Sequence, residues 1–132
     1  MKKHLLMIAI ASTCLVAGQA SALTQDEYKV AKEKIEADYK VDKTQCDTLK
    51  DNAKDVCHKE AKGKEAVAKA ELEQQYKPSD RHARDVKEEK VKAAYEVAKE
   101  KCDDMKGDSK SACEKQAKAD EDRGKAEMRA MK

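Results

Sequence analysis

Four of the five cysteines form two pairs with the same spacing, and this pattern limits the possible folds more than any other feature. Ten residues separate Cys46 from Cys57, and ten separate Cys102 from Cys113. On one continuous helix, residues 11 apart lie about 16 Å apart along the axis, whereas a disulfide needs Cα atoms within about 7 Å. A disulfide within either pair therefore requires the chain to reverse direction between its cysteines.

The residues midway between the cysteines of each pair favour such a reversal. The midpoints fall at Asp51-Asn52 and at Gly107-Asp108. Glycine suits the position after a helix, and Asn52, Asp108 or Ser109 suits the N-cap of the next helix. We therefore predict one disulfide within each pair, joining the two helices of an antiparallel hairpin: Cys46–Cys57 and Cys102–Cys113.

A second pairing is also compatible with helices. Eleven residues turn a helix by three revolutions plus about 20°, so both cysteines of a pair can face the same side. Cys46–Cys113 with Cys57–Cys102 would then join two long helices, in the way of the twin C-x9-C proteins of the mitochondrial intermembrane space. The spacing in this chain is one residue longer, and Gly107 lies where that arrangement needs a helix.

The chain also contains an internal repeat with an offset of 56 residues. Residues 33–39 (EKIEADY) match residues 89–95 (EKVKAAY), and residues 69–72 (KAEL) match residues 125–128 (KAEM). The two cysteine pairs are related by the same offset. Because 56 residues are eight heptads, both copies keep the same helical phase, and the sequence predicts the same structure twice.

Both copies have the composition and the periodicity of helices. Ala, Lys, Glu and Gln dominate, and acidic residues often precede basic ones by four positions, a spacing that stabilises helices. Apolar residues at heptad spacing predict a narrow, coiled-coil-like seam. Its members are Tyr28, Ile35, Tyr39, Cys46 and Leu49 in the first copy and Val91, Tyr95, Ala98, Cys102 and Met105 in the second. We expect Tyr39 and Tyr95 to anchor the seam near the disulfides.

These patterns predict an all-α fold of two tandem antiparallel helical hairpins, each held by a disulfide. We expect helices over about 24–50, 53–76, 80–106 and 109–130. The predicted divisions are a signal peptide (1–22), a first hairpin repeat (23–77), a linker (78–80) and a second hairpin repeat (81–132). Pro78 interrupts the helix, Ser79 or Asp80 can cap the next one, and Gly124 is expected to weaken the last helix so that its end frays.

Residues 1–22 have the features of a secretory signal peptide. Lys2 and Lys3 precede an almost wholly apolar stretch (5–17), and residues 20–22 (ASA) form an A-x-A cleavage site. We predict cleavage after Ala22, export to the periplasm or secretion, and no transmembrane segment in the mature chain. Lipid attachment at Cys14 is disfavoured because the residues before it fit a lipoprotein signal poorly.

Removal of this signal changes the charge of the chain. The whole sequence has 29 basic and 27 acidic residues, but the signal carries two lysines and no acidic residue, so 27 of each remain. A balanced mixture of charges gives no electrostatic surface for nucleic acid. Leu, Ile, Val and Phe account for only 11 of the 110 mature residues, so we expect the fold to depend on its disulfides.

The sequence lacks the motifs of an enzyme or a cofactor site. It contains no nucleophile elbow, phosphate-binding loop or zinc-protease motif, and its apolar residues are too few to line a deep pocket. His58 beside Cys57 suggests a metal site, but the second copy has Glu114 at the equivalent position. We therefore predict no catalytic residue, no metal, no cofactor and no small-molecule substrate.

Two segments resemble a group of small exported proteins. Residues 53–62 (AKDVCHKEAK) and 93–104 (AAYEVAKEKCDD) are similar to Lys/Ala/Glu-rich helical proteins of betaproteobacteria, some of them labelled TolA-like. The resemblance implies an exported helical protein and brings no activity or site residues. The leading hypothesis is a non-enzymatic envelope scaffold or interaction protein with a protein partner in the envelope, compatible with self-association. The alternative is a periplasmic stress chaperone that offers its apolar seam to unfolded proteins.

Overall fold

The computed structural model describes residues 22–131, which form four α-helices and contain no strand. The helices are α1 (Gln25–Cys46), α2 (Asp51–Tyr76), α3 (Asp80–Cys102) and α4 (Gly107–Ala130). The predicted all-α fold with two tandem, disulfide-linked hairpins is confirmed. The predictions for the signal peptide and for Cys14 lie outside the described residues.

The starts of α1 and α3 follow from polar residues that cap them. Thr24 Oγ1 accepts a hydrogen bond from the Glu27 backbone N–H at 3.3 Å, and the Glu27 carboxylate accepts one from the Thr24 N–H at 2.8 Å. This reciprocal capping box satisfies two backbone donors that the helix leaves unpaired. Ser79 Oγ accepts from the His82 N–H at 3.0 Å, so the expected cap after Pro78 is present.

The two hairpin turns lie earlier in the chain than expected. Helix α1 ends at Cys46 rather than near residue 50, and α3 ends at Cys102 rather than near residue 106. The turns are Asp47–Lys50 and Asp103–Lys106. The chain reverses directly after the first cysteine of each pair, with Asp47 and Asp103 still in the right-handed helical conformation and Lys50 and Lys106 extended, so the reversal falls before the midpoint of each cysteine pair.

The N-caps predicted for the second helix of each hairpin are wrong for the same reason. Lys50 and Lys106 occupy the N-cap positions, and neither makes a side-chain capping hydrogen bond. Asp51 and Gly107 follow them with φ angles of 52° and 58°. Gly107 does adopt the left-handed backbone conformation expected of a glycine between helices, but it opens α4 instead of closing α3.

Substitution of Gly107 tests the cost of this backbone conformation alone. A Cβ at Gly107 meets no atom within 4 Å, so Gly107→Ala is expected to lower the free energy of unfolding by about 1–2 kcal/mol through the positive φ. Gly107→Asn is expected to cost less because asparagine tolerates this region. Urea unfolding followed by circular dichroism at 222 nm measures both. Equal stability of the alanine variant and the parent would contradict the assignment.

The four helices form an antiparallel row rather than a closed bundle. Each described helix packs against its neighbours in sequence, and the most extensive interface lies between α2 and α3. The Cα atoms of α1 lie more than 8 Å from those of α3 and α4, and the Cα atoms of α2 also lie more than 8 Å from those of α4. The two inner helices therefore bury two faces each, whereas α1 and α4 each bury one.

Small residues allow the helices to approach closely. The described buried core consists of Cys46, Ala61, Leu72, Cys102 and Ala117. A Cβ built on Gly63 of α2 would lie 2.7 Å from the Ala93 Cβ of α3, and one built on Gly124 of α4 would lie 2.4 Å from Val91 Cγ2. Gly124 was expected to weaken α4, but the helix continues to Ala130 and Gly124 is a buried contact point.

The predicted seam is present along the helices but not in the turns. Tyr28, Ile35 and Tyr39 are half-buried. Leu49 and Met105 lie beyond the ends of their helices and are 42% and 43% exposed, so their assignment to the seam is wrong. The cause is the early end of α1 and α3, which releases the last predicted seam position of each copy.

Candidate functional site

Both disulfides lie at one end of the row of helices. Cys46 and Cys57 have Cα atoms 5.4 Å apart, and those of Cys102 and Cys113 are 5.7 Å apart. The structure contains the two predicted bonds and not the twin-helix alternative. Helices α2 and α3 are antiparallel, so the first residues of α2 lie beside the last residues of α3. The two hairpin turns are therefore at the same end of the molecule.

A hydrogen bond between the hairpins connects the two turns. Asn52 Nδ2, in the first turn of α2, donates to the backbone carbonyl of Glu100 near the end of α3 at 3.1 Å. We call the surface formed by the turns 47–50 and 103–106 the disulfide end. Its two exposed apolar side chains, Leu49 and Met105, occupy equivalent positions of the two copies.

Ion pairs hold both turns against the helices that follow them. Asp47 Oδ1 lies 3.1 Å from Lys54 Nζ, and Asp103 Oδ1 lies 2.7 Å from Lys110 Nζ. The hydrogen bond from the lysine is the main cause that lowers the pKa of each aspartate below its ordinary value. Asp47 also contacts His58 Nε2 at 3.1 Å. Among residues 22–131, no group of His, Cys, Asp or Glu side chains is placed to hold a metal ion.

Charged side chains also bridge the two hairpins. Lys90 Nζ lies 2.6 Å from Glu71 Oε1, and Lys59 Nζ lies 3.0 Å from Glu96 Oε2. The hydrogen bond between Lys59 and Glu96 lowers the pKa of the carboxylate and raises the pKa of the amine. The spacing of charges in the sequence predicts only pairs within one helix, whereas these contacts depend on the register between α2 and α3.

Acid is expected to destabilise the fold. Six carboxylates have pKa values lowered by hydrogen bonds to lysines or to a backbone N–H: Glu27, Asp47, Glu96, Asp103, Glu121 and Glu127. A carboxylate whose pKa is lower in the folded state stabilises that state above its unfolded pKa of about 4, and the stabilisation disappears as the pH falls through the folded value.

Urea unfolding at several pH values measures this effect. We expect the midpoint to fall progressively from about pH 5 to pH 3. The double variant Asp47→Asn, Asp103→Asn is the control, because it removes two of these carboxylates and its midpoint should depend less on pH. A midpoint that stays constant down to pH 3 would show that the ion pairs contribute nothing to stability.

Two tyrosines pack against each other at the end of the molecule opposite the disulfide end. The rings of Tyr28 in α1 and Tyr76 at the end of α2 have centroids 4.5 Å apart. The Tyr28 hydroxyl donates a hydrogen bond to the Glu73 carboxylate, and this bond is the main cause that raises the pKa of Tyr28. The repeat predicts a shared anchoring role only for Tyr39 and Tyr95, because Tyr28 and Tyr76 have no tyrosine at the equivalent positions 84 and 132.

Five grooves run along the described helices. The grooves along α2 and α3 are lined by Lys, Glu, Ala, Val and Gly side chains. A groove between α1 and α2 also contains Ile35 and Tyr39, and one between α3 and α4 contains Tyr95. A second groove between α3 and α4 is lined mainly by charged side chains, three of them arginines. None of these five grooves in residues 22–131 contains a histidine or a cysteine. None of the described helices combines the length and the apolar character needed to cross a bilayer.

The fold and the surface define an all-α protein with two disulfide-linked helical hairpins. No family model, no curated protein and no solved structure matches the chain. The similarity to exported betaproteobacterial proteins therefore stays a prediction. Function has to be inferred from the exposed surfaces of the helices and turns.

Proposed function

We propose that this chain is a non-enzymatic, exported helical protein that acts in the cell envelope as a scaffold or interaction protein. The observation that carries the proposal is the disulfide end, where two covalently closed turns expose Leu49 and Met105 at the same end of the row of helices. Two disulfides agree with an oxidising compartment, and the sequence of residues 1–22 supports export to the periplasm.

The disulfide end is suited to binding a protein partner because its shape is fixed before binding. Each turn is closed by a disulfide, pinned by an aspartate–lysine ion pair and linked to the other hairpin through Asn52. A rigid surface loses less conformational entropy on association than a flexible one. The exposed leucine and methionine supply apolar contact area, and the charged residues around them supply a polar rim.

Site-specific photo-crosslinking in cells tests this proposal. A photoreactive residue at position 49 or 105 is expected to give the same protein adducts, because the two positions belong to one surface. The matched control is position 111, where Ser111 is exposed on α4 outside the turns. Adducts that are absent at 49 and 105, or equally abundant at 111, would exclude the disulfide end as the binding surface.

The chaperone hypothesis has a distinct observation in its favour. Leu49, Met105 and two valines of α1, Val30 and Val41, are exposed apolar side chains available to an unfolded client. A fourfold molar excess of the oxidised protein would then suppress aggregation of an unfolded, cysteine-free model client. If the seam itself is the client site, prior reduction of the protein should increase the suppression. No suppression in either state would remove this hypothesis.

A further inference from the structure

One face of α3 contacts α2. Four of its residues lie along one helix face at heptad spacing: Val86, Lys90, Ala93 and Val97. Ala93 makes the close approach to Gly63, Lys90 pairs with Glu71, and Val97 lines the groove between the helices. Val86 is half-buried and lies on the same face of α3, and we call these four positions the α2-binding stripe of α3.

Helix α1 carries the same four residues at the same spacing. Subtracting the repeat offset of 56 from each position gives Val30, Lys34, Ala37 and Val41, which we call the α1 stripe. Val30 is 66% exposed and Val41 is 56% exposed, whereas Val86 and Val97 are half-buried. Ala37 follows Ile35 by two residues, or about 200° around the helix, so the α1 stripe faces away from α2. Within residues 22–131 no helix covers it.

The complementary face is repeated on α4. Helix α2 presents small or short residues to α3 at heptad spacing, namely Val56, Gly63 and Ala70, and the offset places Ala112, Ala119 and Ala126 at the same positions of α4. All three alanines are exposed, whereas their α2 equivalents are half-buried. Helix α1 thus exposes the face that α3 uses to contact α2, and α4 exposes the face that α2 uses to contact α3.

We propose that the α1 stripe of one molecule binds the exposed alanine face of α4 in a second copy of this chain. The contact would repeat the α2–α3 interface between molecules. Lys34 would meet Glu127, as Lys90 meets Glu71. Glu127 already accepts a hydrogen bond from Lys87 at 2.7 Å, and a carboxylate has acceptor positions for a second lysine.

This association is head-to-tail, so each added copy leaves a free α1 stripe at one end and a free α4 face at the other. Such heterologous contacts generate open chains unless the rotation closes a ring. The row of antiparallel helices would continue from molecule to molecule. The inference rests on the proposed scaffold function for its biological meaning, and it names a second copy as one partner.

One pair of charges makes the intermolecular contact weaker than its internal template. The position of Lys59 in α2 corresponds to Lys115 in α4, and the position of its partner Glu96 corresponds to Lys40 in α1. An attractive ion pair is therefore replaced by two lysines. Association is expected to be concentration-dependent, and Lys115→Glu, which restores opposite charges, is expected to strengthen it about fivefold.

Sedimentation velocity of the oxidised mature chain tests the inference. The weight-average sedimentation coefficient is expected to rise with concentration without stopping at a dimer, and the double variant Val30→Asp, Val41→Asp is expected to remain monomeric. Both valines are exposed, so this variant should keep its helical circular dichroism. Lys29→Glu is the charge-matched control for Lys115→Glu and should not strengthen association. A parent and a Lys115→Glu variant that both remain monomeric at millimolar concentration would overturn the proposal.

Cysteine crosslinking distinguishes the proposed contact from a symmetric one. A mixture of Ala37→Cys and Ala119→Cys proteins is expected to form mixed disulfide dimers faster than a mixture of Ala37→Cys and Ser111→Cys proteins. Rapid dimerisation of Ala37→Cys alone would instead indicate a twofold α1–α1 contact and overturn the head-to-tail arrangement. These measurements use only purified protein, whereas the scaffold function is tested by adducts from positions 49 and 105, so the two can fail separately.

Discussion

Removal of one disulfide is expected to lower the free energy of unfolding by about 3 kcal/mol. The variant Cys46→Ala, Cys57→Ala opens a loop closed by cysteines 11 residues apart, and in the chain-entropy model a loop of this size contributes about that amount. The paired variant Cys102→Ala, Cys113→Ala is expected to lose a similar amount. Because a small domain has only about 5–15 kcal/mol of total stability, loss of both disulfides should leave the chain largely unfolded.

The effect is expected to be large in this chain because few side chains are buried. The described core contains two cysteines, two alanines and Leu72, and the cysteines Cys46 and Cys102 are fully buried. Urea unfolding of the parent, the two pair variants and the four-alanine variant gives the free energies. Ser111→Ala is the control for a substitution on an exposed helix face. A four-alanine variant as stable as the parent would show that helix packing alone holds the fold.

Gly124→Ala is expected to destabilise the protein although it removes a glycine from a helix. Alanine normally gains up to about 1 kcal/mol over glycine in a helix. At this position the added Cβ would lie 2.4 Å from Val91 Cγ2 and 2.9 Å from Cγ1, closer than non-bonded carbon atoms can approach. Overpacking of this kind costs about 1–3 kcal/mol, so we expect a net loss of stability or a shift of α4 away from α3.

A compensating substitution makes this prediction specific. Val91→Ala removes both clashing methyl groups. Gly124→Ala should therefore cost much less stability in a Val91→Ala background than in the parent protein. Thermal unfolding of the four proteins of this cycle gives the coupling between the two sites. If Gly124→Ala raises the melting temperature by the amount expected from helix propensity, the close contact between α3 and α4 does not exist in solution.

Much of the fold was predictable from local features. The spacing of the cysteines and the residues between them favoured hairpins, and the repeated composition favoured helices in both copies. The ends of α1 and α3 were expected four residues too late, at residues 50 and 106 instead of Cys46 and Cys102, because the prediction assumed a reversal symmetric between the two cysteines of each pair. Leu49 and Met105 were assigned to the seam for that reason, and their exposure at the disulfide end, the main candidate site, was not foreseen.

Helices and disulfide pairing could be read from the chain because both depend on residues close in sequence. The sequence could not show which of the two valine stripes is covered by another helix. Val30, Lys34, Ala37 and Val41 are identical to their counterparts in α3, so no local property tells the copies apart. Packing decides: the α3 stripe lies beside α2, which the short turn at Pro78 brings against it, whereas α1 ends the row of described helices. The same four side chains are therefore part of the interior in α3 and part of the exposed surface in α1.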